Sequence, residues 1–411
     1  MKNYIRLLIL LVFTSHSYSQ GLKLIDDAQL SELPQISEDV LGFVENFPDR
    51  YSFEKFVPPV LEQSGASCVG FSSLYYGLST MYNIKFNISD NNKKFANAFD
   101  PYFIYSIIKS TEGKNCDEGS YFKESLDILQ NAGSKKMFFP PFLTCKTSWN
   151  KEKISNVLPY SKPYSIKSWG AAVVDSDFIN VAKNAIIKNH PIIFGVGLTD
   201  SFYSLSSESA NYSSTNGLWS PDSSEERLGG HALTIVGYDD YKFGGAFRVV
   251  NSWGKSYGDN GYLWIKYDDF IDNVKTGYIM RLNDSVSPQE NPQIDFDNYQ
   301  RVDYQYEYSM EGQKSSNKFN GYGIFYSKKN QTSYIGNFIN GNMDGYFLLV
   351  DDEGIYETTI RDGEFFDFEK LGFSDEDNEV SENRLMAKKY FSELNQSPLK
   401  KSVGVKKIYG L

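Results

Sequence analysis

Apolar positions between residues 68 and 189 recur with the period of a helix, and many of those after 190 with the look of strands. Phe71, Leu74, Tyr75 and Leu78 fall at i, i+3, i+4 and i+7, which makes one apolar stripe. Gly65, Ala66 and Ser67 before them supply a turn and an N-cap, so the helix begins at Cys68. Helices are also predicted over 102–109 and over 121–131, the latter with Phe122, Leu126 and Leu129 on one face and Gly133 past its end. Phe178, Val181, Ala182, Ala185 and Ile186 repeat the pattern within 175–189. Beyond it, 191–196, 232–238, 247–250 and 262–267 are short and rich in β-branched or aromatic residues, the mark of strands. Helices first and antiparallel strands later predict an α+β domain with a helical lobe and a sheet lobe. The Ser-, Asn- and Asp-rich stretch 201–226 reads as loops rather than core.

The two ends follow other patterns. Lys2 and Arg6, the apolar run 7–13 and small residues at Ser17 and Ser19 have the anatomy of a signal peptide over 1–19. The run is too short to span a bilayer, which takes about 20 residues. The expected destination is the medium, or the periplasm and cell envelope. A short polar and acidic segment, 20–51, carries a predicted helix over 40–45, and the first domain follows over 52–285. The stretch 284–292 is a linker by composition. After it, Tyr334, Gly336, Phe338, Asn340 and Gly341 reappear degenerately as Tyr356, Thr358, Ile360, Asp362 and Gly363, offset by 22 residues. Each unit reads as a β-hairpin with an Asn-Gly or Asp-Gly turn. Residues 286–372 are thus expected to form a small all-β hairpin-repeat module, and 373–411 a charged tail.

A length of 411 residues leaves room for two domains, and a hydrophobic share of 41% for ordinary cores. The net charge of −11 removes nucleic acid from the partners, because phosphate binding needs a basic face. Outside the signal only His190 and His231 remain, and no two cysteines are close in sequence, so zinc spacing is absent. The acidic run 351–354 lacks the fuller calcium-loop pattern. Neither metal nor cofactor is expected.

Cys68, His231 and Asn251 occur in the order of a thiol acyl-transfer site: nucleophile, proton carrier, and an amide that fixes the imidazole. Taken singly each has a plainer reading. A lone cysteine is more often an inert core residue, a histidine can open a strand for packing, and Asn-Ser is common at strand ends. Their settings change the balance. The first turn of a helix favours a thiolate, and Gly229 and Gly230 allow close backbone approach beside His231.

The segments Gln63 to Ser72, Gly230 to Asp239 and Val250 to Gly254 resemble the three active-site blocks of the papain-like cysteine peptidases, in the family's order. That resemblance implies a two-lobe fold with the site in the cleft between lobes. It implies peptide-bond hydrolysis through a thioester on Cys68, with His231 as base then acid, Asn251 as orienter and Trp253 as a shield against water. The family's oxyanion glutamine lies six residues before the nucleophile, where Glu62 stands here; a loop shortened by one residue gives that role to Gln63. Val69 replaces the family's usual Trp, and about 38 residues between signal and Pro58 are too few for its long helical propeptide. With Cys68 as nucleophile, Cys116 and Cys145 are left to form a disulfide, Cys116 lying in a block like the family's Cys-Xaa-Gly-Gly. The C-terminal pattern resembles MORN repeats, which implies docking on a protein or envelope surface. Alternative readings are an impaired papain-like protein that binds peptides without cutting them, a related acyl transfer or deamidation, and a MORN-like scaffold.

Overall fold

The computed structural model describes residues 21–36, 44, 46–63, 65–112, 118–137, 161–206, 216–283, 286 and 299–370 apart from 305–307, 316–317, 328, 331, 351–354 and 362–363. The expected signal peptide, most of the helix read over 40–45, Cys116, Cys145, most of the expected linker and the tail 373–411 lie outside the described residues.

Cys68 opens a continuous helical rod: Cys68–Gly70, a π-helical Phe71–Leu78, then Ser79–Lys85. The sequence pattern pointed to one apolar stripe, yet every residue from Ala66 to Asn83 is buried, serines included. The serines are small enough to pack and bond locally: Ser73 Oγ donates to Val69 O at 2.5 Å, and Ser79 Oγ to Leu74 O. A π-helical stretch widens the turn and is often found at functional sites. Helices Tyr102–Glu112, Phe122–Asn131 and Phe178–Ile187 match the three other predicted helices to within a few residues.

Eight strands build the sheet of this domain: β1 (Arg50–Ser52), β2 (Ile166–Val173), β3 (Ile192–Gly197), β4 (Leu218–Trp219), β5 (Gly230–Asp239), β6 (Ala246–Val250), β7 (Tyr262–Lys266) and β8 (Thr276–Leu282). Their order is β2-β8-β3-β5-β6-β7-β4, with β1 also on β5, and all pairs are antiparallel except β4 with β7. One strand sits at the centre of function. β5 carries His231, and nine of its ten residues are buried. Its inner end is tied to the Cys68 rod: Ser72 Oγ donates to Leu233 O at 2.7 Å, and Thr234 Oγ1 donates to Ser72 O at 3.2 Å. These bonds fix the distance between the helix that starts at Cys68 and the strand that starts beside His231.

The loop reading of 201–226 needs correction. Asp200–Tyr203 is a helical turn, Leu218–Trp219 is a strand, and Phe202, Leu205 and Trp219 are buried core residues. Ser, Asn and Asp dominate the composition there, but three large apolar side chains suffice to anchor it.

From β9 (Tyr299–Tyr304) the chain makes a separate seven-stranded antiparallel meander through β10 (Tyr308–Ser315), β11 (Lys318–Ser327), β12 (Thr332–Ile339), β13 (Asn342–Val350), β14 (Ile355–Arg361) and β15 (Glu364–Lys370). Phe319, Phe338, Phe347 and Ile360 form its own small core. Asn340 and Gly341 join β12 to β13 with φ of 52° and 90°, the left-handed pair a type I′ hairpin requires. The 22-residue period is an advance of two strands, so Phe338 on β12 and Ile360 on β14 are both buried. The Asp362-Gly363 turn lies outside the described residues.

Candidate active site

The Cys68 sulfur is fully buried and receives four backbone N–H groups: its own, that of Val69, that of Ala232 and that of Gly21. The first two belong to the helix start. Ala232 follows His231 on β5, so the sulfur lies against the backbone of the histidine's own strand. No disulfide involves Cys68.

His231 and Asn251 are buried and bonded, with His231 Nε2 donating to Asn251 Oδ1 at 2.8 Å. The backbone N–H of Ser252 donates to the same Asn251 atom at 2.8 Å, which identifies it as the amide oxygen. The imidazole therefore carries its proton on Nε2 when neutral, and Nδ1 has no hydrogen-bond partner among the described residues. Asn251 is itself held by its backbone, its N–H donating to Gly261 O and its carbonyl accepting from Tyr76 Oη at 3.1 Å.

An aromatic shell closes over this pair. The Trp253 ring centroid is 4.8 Å from that of His231, and Phe202 meets His231 edge-on at 5.9 Å. Tyr203 stacks on Trp253 at 5.4 Å, and Tyr257 packs edge-on against Trp253 at 5.1 Å. A hydrogen bond so enclosed meets no competition from water. Sequence reasoning named Trp253 but missed Phe202 and Tyr203, which sit in the polar stretch read as loops.

Gln63 lies beside this group, bonded to the residue after Asn251. Its backbone N–H donates to Ser252 O at 2.6 Å, and its Oε1 accepts from Ser252 Oγ at 2.5 Å. Its Nε2 donates to Gly65 O at 3.1 Å. Glu62, one residue earlier, bridges to Trp253 through the backbone. The side-chain N–H of Gln63 is thus turned into its own loop.

The N-terminal segment occupies the cleft. Gly21 presents its N–H to the Cys68 sulfur, and its carbonyl accepts from Ser120 N at 3.0 Å. Leu22 N donates to Gly230 O at 3.1 Å, while Lys23 N donates to Ser120 O at 3.0 Å, so the segment is paired on both walls. A side chain at Gly21 would strike Ala66 O, and one at Gly230 would strike Leu22 O. Further along, Asp26 caps the helix Asp27–Ser31, and Pro34 and Ile36 pair with Ala171 on β2. Reading 20–51 from sequence only as a short polar and acidic segment missed this pairing.

Burial neutralises the site. Burial pushes the Cys68 thiol up to about 12, although the four N–H groups pull it down. Burial also lowers His231 to about 4, against the opposing effect of the Asn251 bond. At neutral pH the pair is thiol and imidazole.

Comparison with known proteins agrees with this fold. Residues 108–278 match the family model described as papain family cysteine protease, a span that includes His231 and Asn251 and begins after Cys68. An uncharacterized peptidase C1-like protein of Acanthamoeba polyphaga mimivirus is 35% identical over 91 residues. That match covers 22% of this chain and about a quarter, 27%, of the relative's length. Among solved structures, xylellain, a cysteine protease from Xylella fastidiosa, is similar over 65% of this chain and 96% of its own, with TM-score 0.50 and 17% identity. The digestive procathepsin L2 proteinase of Tenebrio molitor larval midgut is similar over 65% of this chain and 79% of its own, also with TM-score 0.50 and 17% identity.

Proposed function

We infer that this chain, an α+β protein of papain-like fold carrying a papain family cysteine protease domain, cleaves peptide bonds with Cys68 as nucleophile. The Cys68 sulfur attacks the carbonyl carbon of the scissile bond, and the C–N bond breaks to leave a thioester. His231 holds the thiol proton through Nδ1 and hands it to the departing amine. Water, deprotonated by the same nitrogen, then hydrolyses the thioester and frees the thiol. Asn251 orients the imidazole and Trp253 keeps water off their bond. The backbone N–H of Cys68 is one oxyanion donor, and Gln63 the second once its amide leaves Gly65 O. The single observation that carries this reading is the enclosed bond from His231 Nε2 to Asn251 Oδ1, which leaves Nδ1 unpartnered beside the strand that touches the sulfur.

The same reading includes export through residues 1–19, a disulfide between Cys116 and Cys145, and a MORN-like C-terminal sheet that positions the enzyme on a protein or envelope surface. Among the described residues, no helix is long and apolar enough to cross a membrane. One observation favours a peptide binder without turnover: the Gln63 amide is engaged with Gly65 O. Labelling of the full chain with a thiol-directed vinyl sulfone, before and after Cys68→Ala, decides between them. Proteolysis that survives Cys68→Ala overturns the mechanism, and a labelled thiol without any turnover of a peptide library establishes the binder.

A further inference from the structure

Beside the covered thiol the N-terminal segment leaves space unfilled. A cavity of about 160 Å³ lies between residues 22–25 and the walls of the cleft. Its floor is apolar. Leu22 sits so close over Gly195 that any side chain there would meet Leu22 Cδ2 at 2.3 Å, with Phe122 at the edge and Tyr278 alongside. Gly195 is thus the residue that makes room for a leucine-sized side chain.

The far wall has a different character, because it is made by Arg227, Asn273, Lys275 and Thr276, with no carboxylate among the lining residues. Arg227 lies along Gly197, its guanidinium donating to Gly197 O and to Asn273 Oδ1, both uncharged partners. Lys275 already holds an acid: its Nζ is 2.7 Å from Asp27 Oδ1 of the resident segment. Glu226 and Asp272, neighbours of these cations in the chain, do not line the cavity. On the opposite side Lys23 of the segment faces Glu118 at 3.6 Å. The covering segment therefore reads as an apolar residue on the floor followed, five residues on, by an acid at the cationic wall.

We propose that Arg227 and Lys275 make this cleft selective for acidic peptide segments: an aliphatic side chain seated on Gly195 and Phe122, with Asp or Glu two to five residues away. The proposal rests on the peptidase reading and adds a substrate class to it. The cations are exposed, so the preference is modest and disappears with salt.

The test uses the full-length chain with Leu22→Lys, which puts a charge on the apolar floor and releases the covering segment. Fluorogenic peptides share one leucine and carry Asp-Asp, Asn-Asn or Lys-Lys on either side of it, so that chain direction need not be assumed. The ratio of kcat/KM for the acidic over the neutral peptide is expected to be about three- to tenfold at low ionic strength and to approach one at high salt. In the Arg227→Glu/Lys275→Glu protein the ratio falls below one and the Lys-Lys peptide overtakes. If that protein does not fold, Arg227→Gln and Lys275→Gln must each lower the ratio. Ratios unmoved by these substitutions, or a ratio of one in the parent, overturn the proposal. If no peptide is cleaved, the hydrolysis reading fails by itself. Fluorescence anisotropy of the same peptides, labelled, on the Leu22→Lys/Cys68→Ser protein then reads the same ratios as binding. An acidic preference that the charge reversal abolishes supports the selectivity, and equal binding of all three peptides overturns it.

Discussion

Asn251 Oδ1 takes two hydrogen bonds at 2.8 Å, one from His231 Nε2 and one from the N–H of Ser252, and so cannot rotate to offer its amide nitrogen instead. The tautomer of His231 is set by this pair. Its lone pair is directed through Nδ1, the only ring nitrogen left to serve the thiol.

Replacing Asn251 by alanine removes the acceptor and leaves Nε2–H buried and unpaired. A bond to a group that becomes charged during turnover is worth about 1.5–3 kcal/mol, which converts to one to two orders of magnitude in kcat. Asn251→Ala is expected to show that loss with KM little changed. A rate within twofold of the parent would show that the imidazole is oriented by its ring neighbours alone.

Burial of the site makes its own pH prediction. Folding favours neutral Cys68, raised from 9.0 to about 12, and neutral His231, lowered from 6.5 to about 4. Below 6.5 an unfolded His231 takes up a proton that the folded one refuses until about 4. The domain therefore loses stability as pH falls through that window, by up to about 1.4 kcal/mol per unit. Above 9.0 an unfolded thiol ionises while the buried one does not, so stability falls there too. Urea unfolding of the parent and of His231→Gln is expected to show the parent losing stability relative to the variant between pH 6.5 and 4. A difference that stays flat across that window would contradict the assignment.

The candidate site was legible in the sequence because it is written in short, rare runs: Gly230 to Ala232 and Asn251 to Gly254 each pack several constrained residues together. The longer helices were legible because their faces are long, whereas the short helices Asn91–Ala96 and Tyr267–Asn273 were missed. Strands β2 and β8 escaped, since Ile166–Val173 and Thr276–Leu282 mix glycine, alanine, serine and charge without alternation. Phe202 and Trp219 were hidden by polar neighbours, although they help to enclose His231 and its shell. Leu22 could not be found at all, because its importance comes from Gly195 and Gly230, some 170 to 210 residues away in the chain.

Cys116 and Cys145 are expected to be joined in the exported protein, with Cys68 free. Closing a loop of about 30 residues stabilises the fold by about 3.6 kcal/mol in the chain-entropy model. Peptide mapping without reductant checks the pairing. A bridge that includes Cys68 in active protein would overturn both the pairing and the assignment of the nucleophile.

The C-terminal sheet has its own core and no histidine or cysteine, so it is expected to unfold without taking the chemistry with it. Phe347 is fully buried on β13, packed edge-on against Phe338 with ring centroids 5.6 Å apart. Phe347→Ala removes that contact and opens a cavity in a cluster of four large side chains, at a cost of about 3–5 kcal/mol. A core so small has little stability to spare, and the sheet is expected to melt at or below ordinary assay temperature. Calorimetry of the Phe347→Ala chain should then show the sheet's transition lost and the peptidase domain's transition within about 2 °C of the parent's. Cleavage of short peptides should stay within twofold, while association with a protein or envelope surface is lost. A parallel fall of both transitions, or a collapse of short-peptide cleavage while the peptidase domain stays folded, would place the sheet inside the working enzyme rather than beside it.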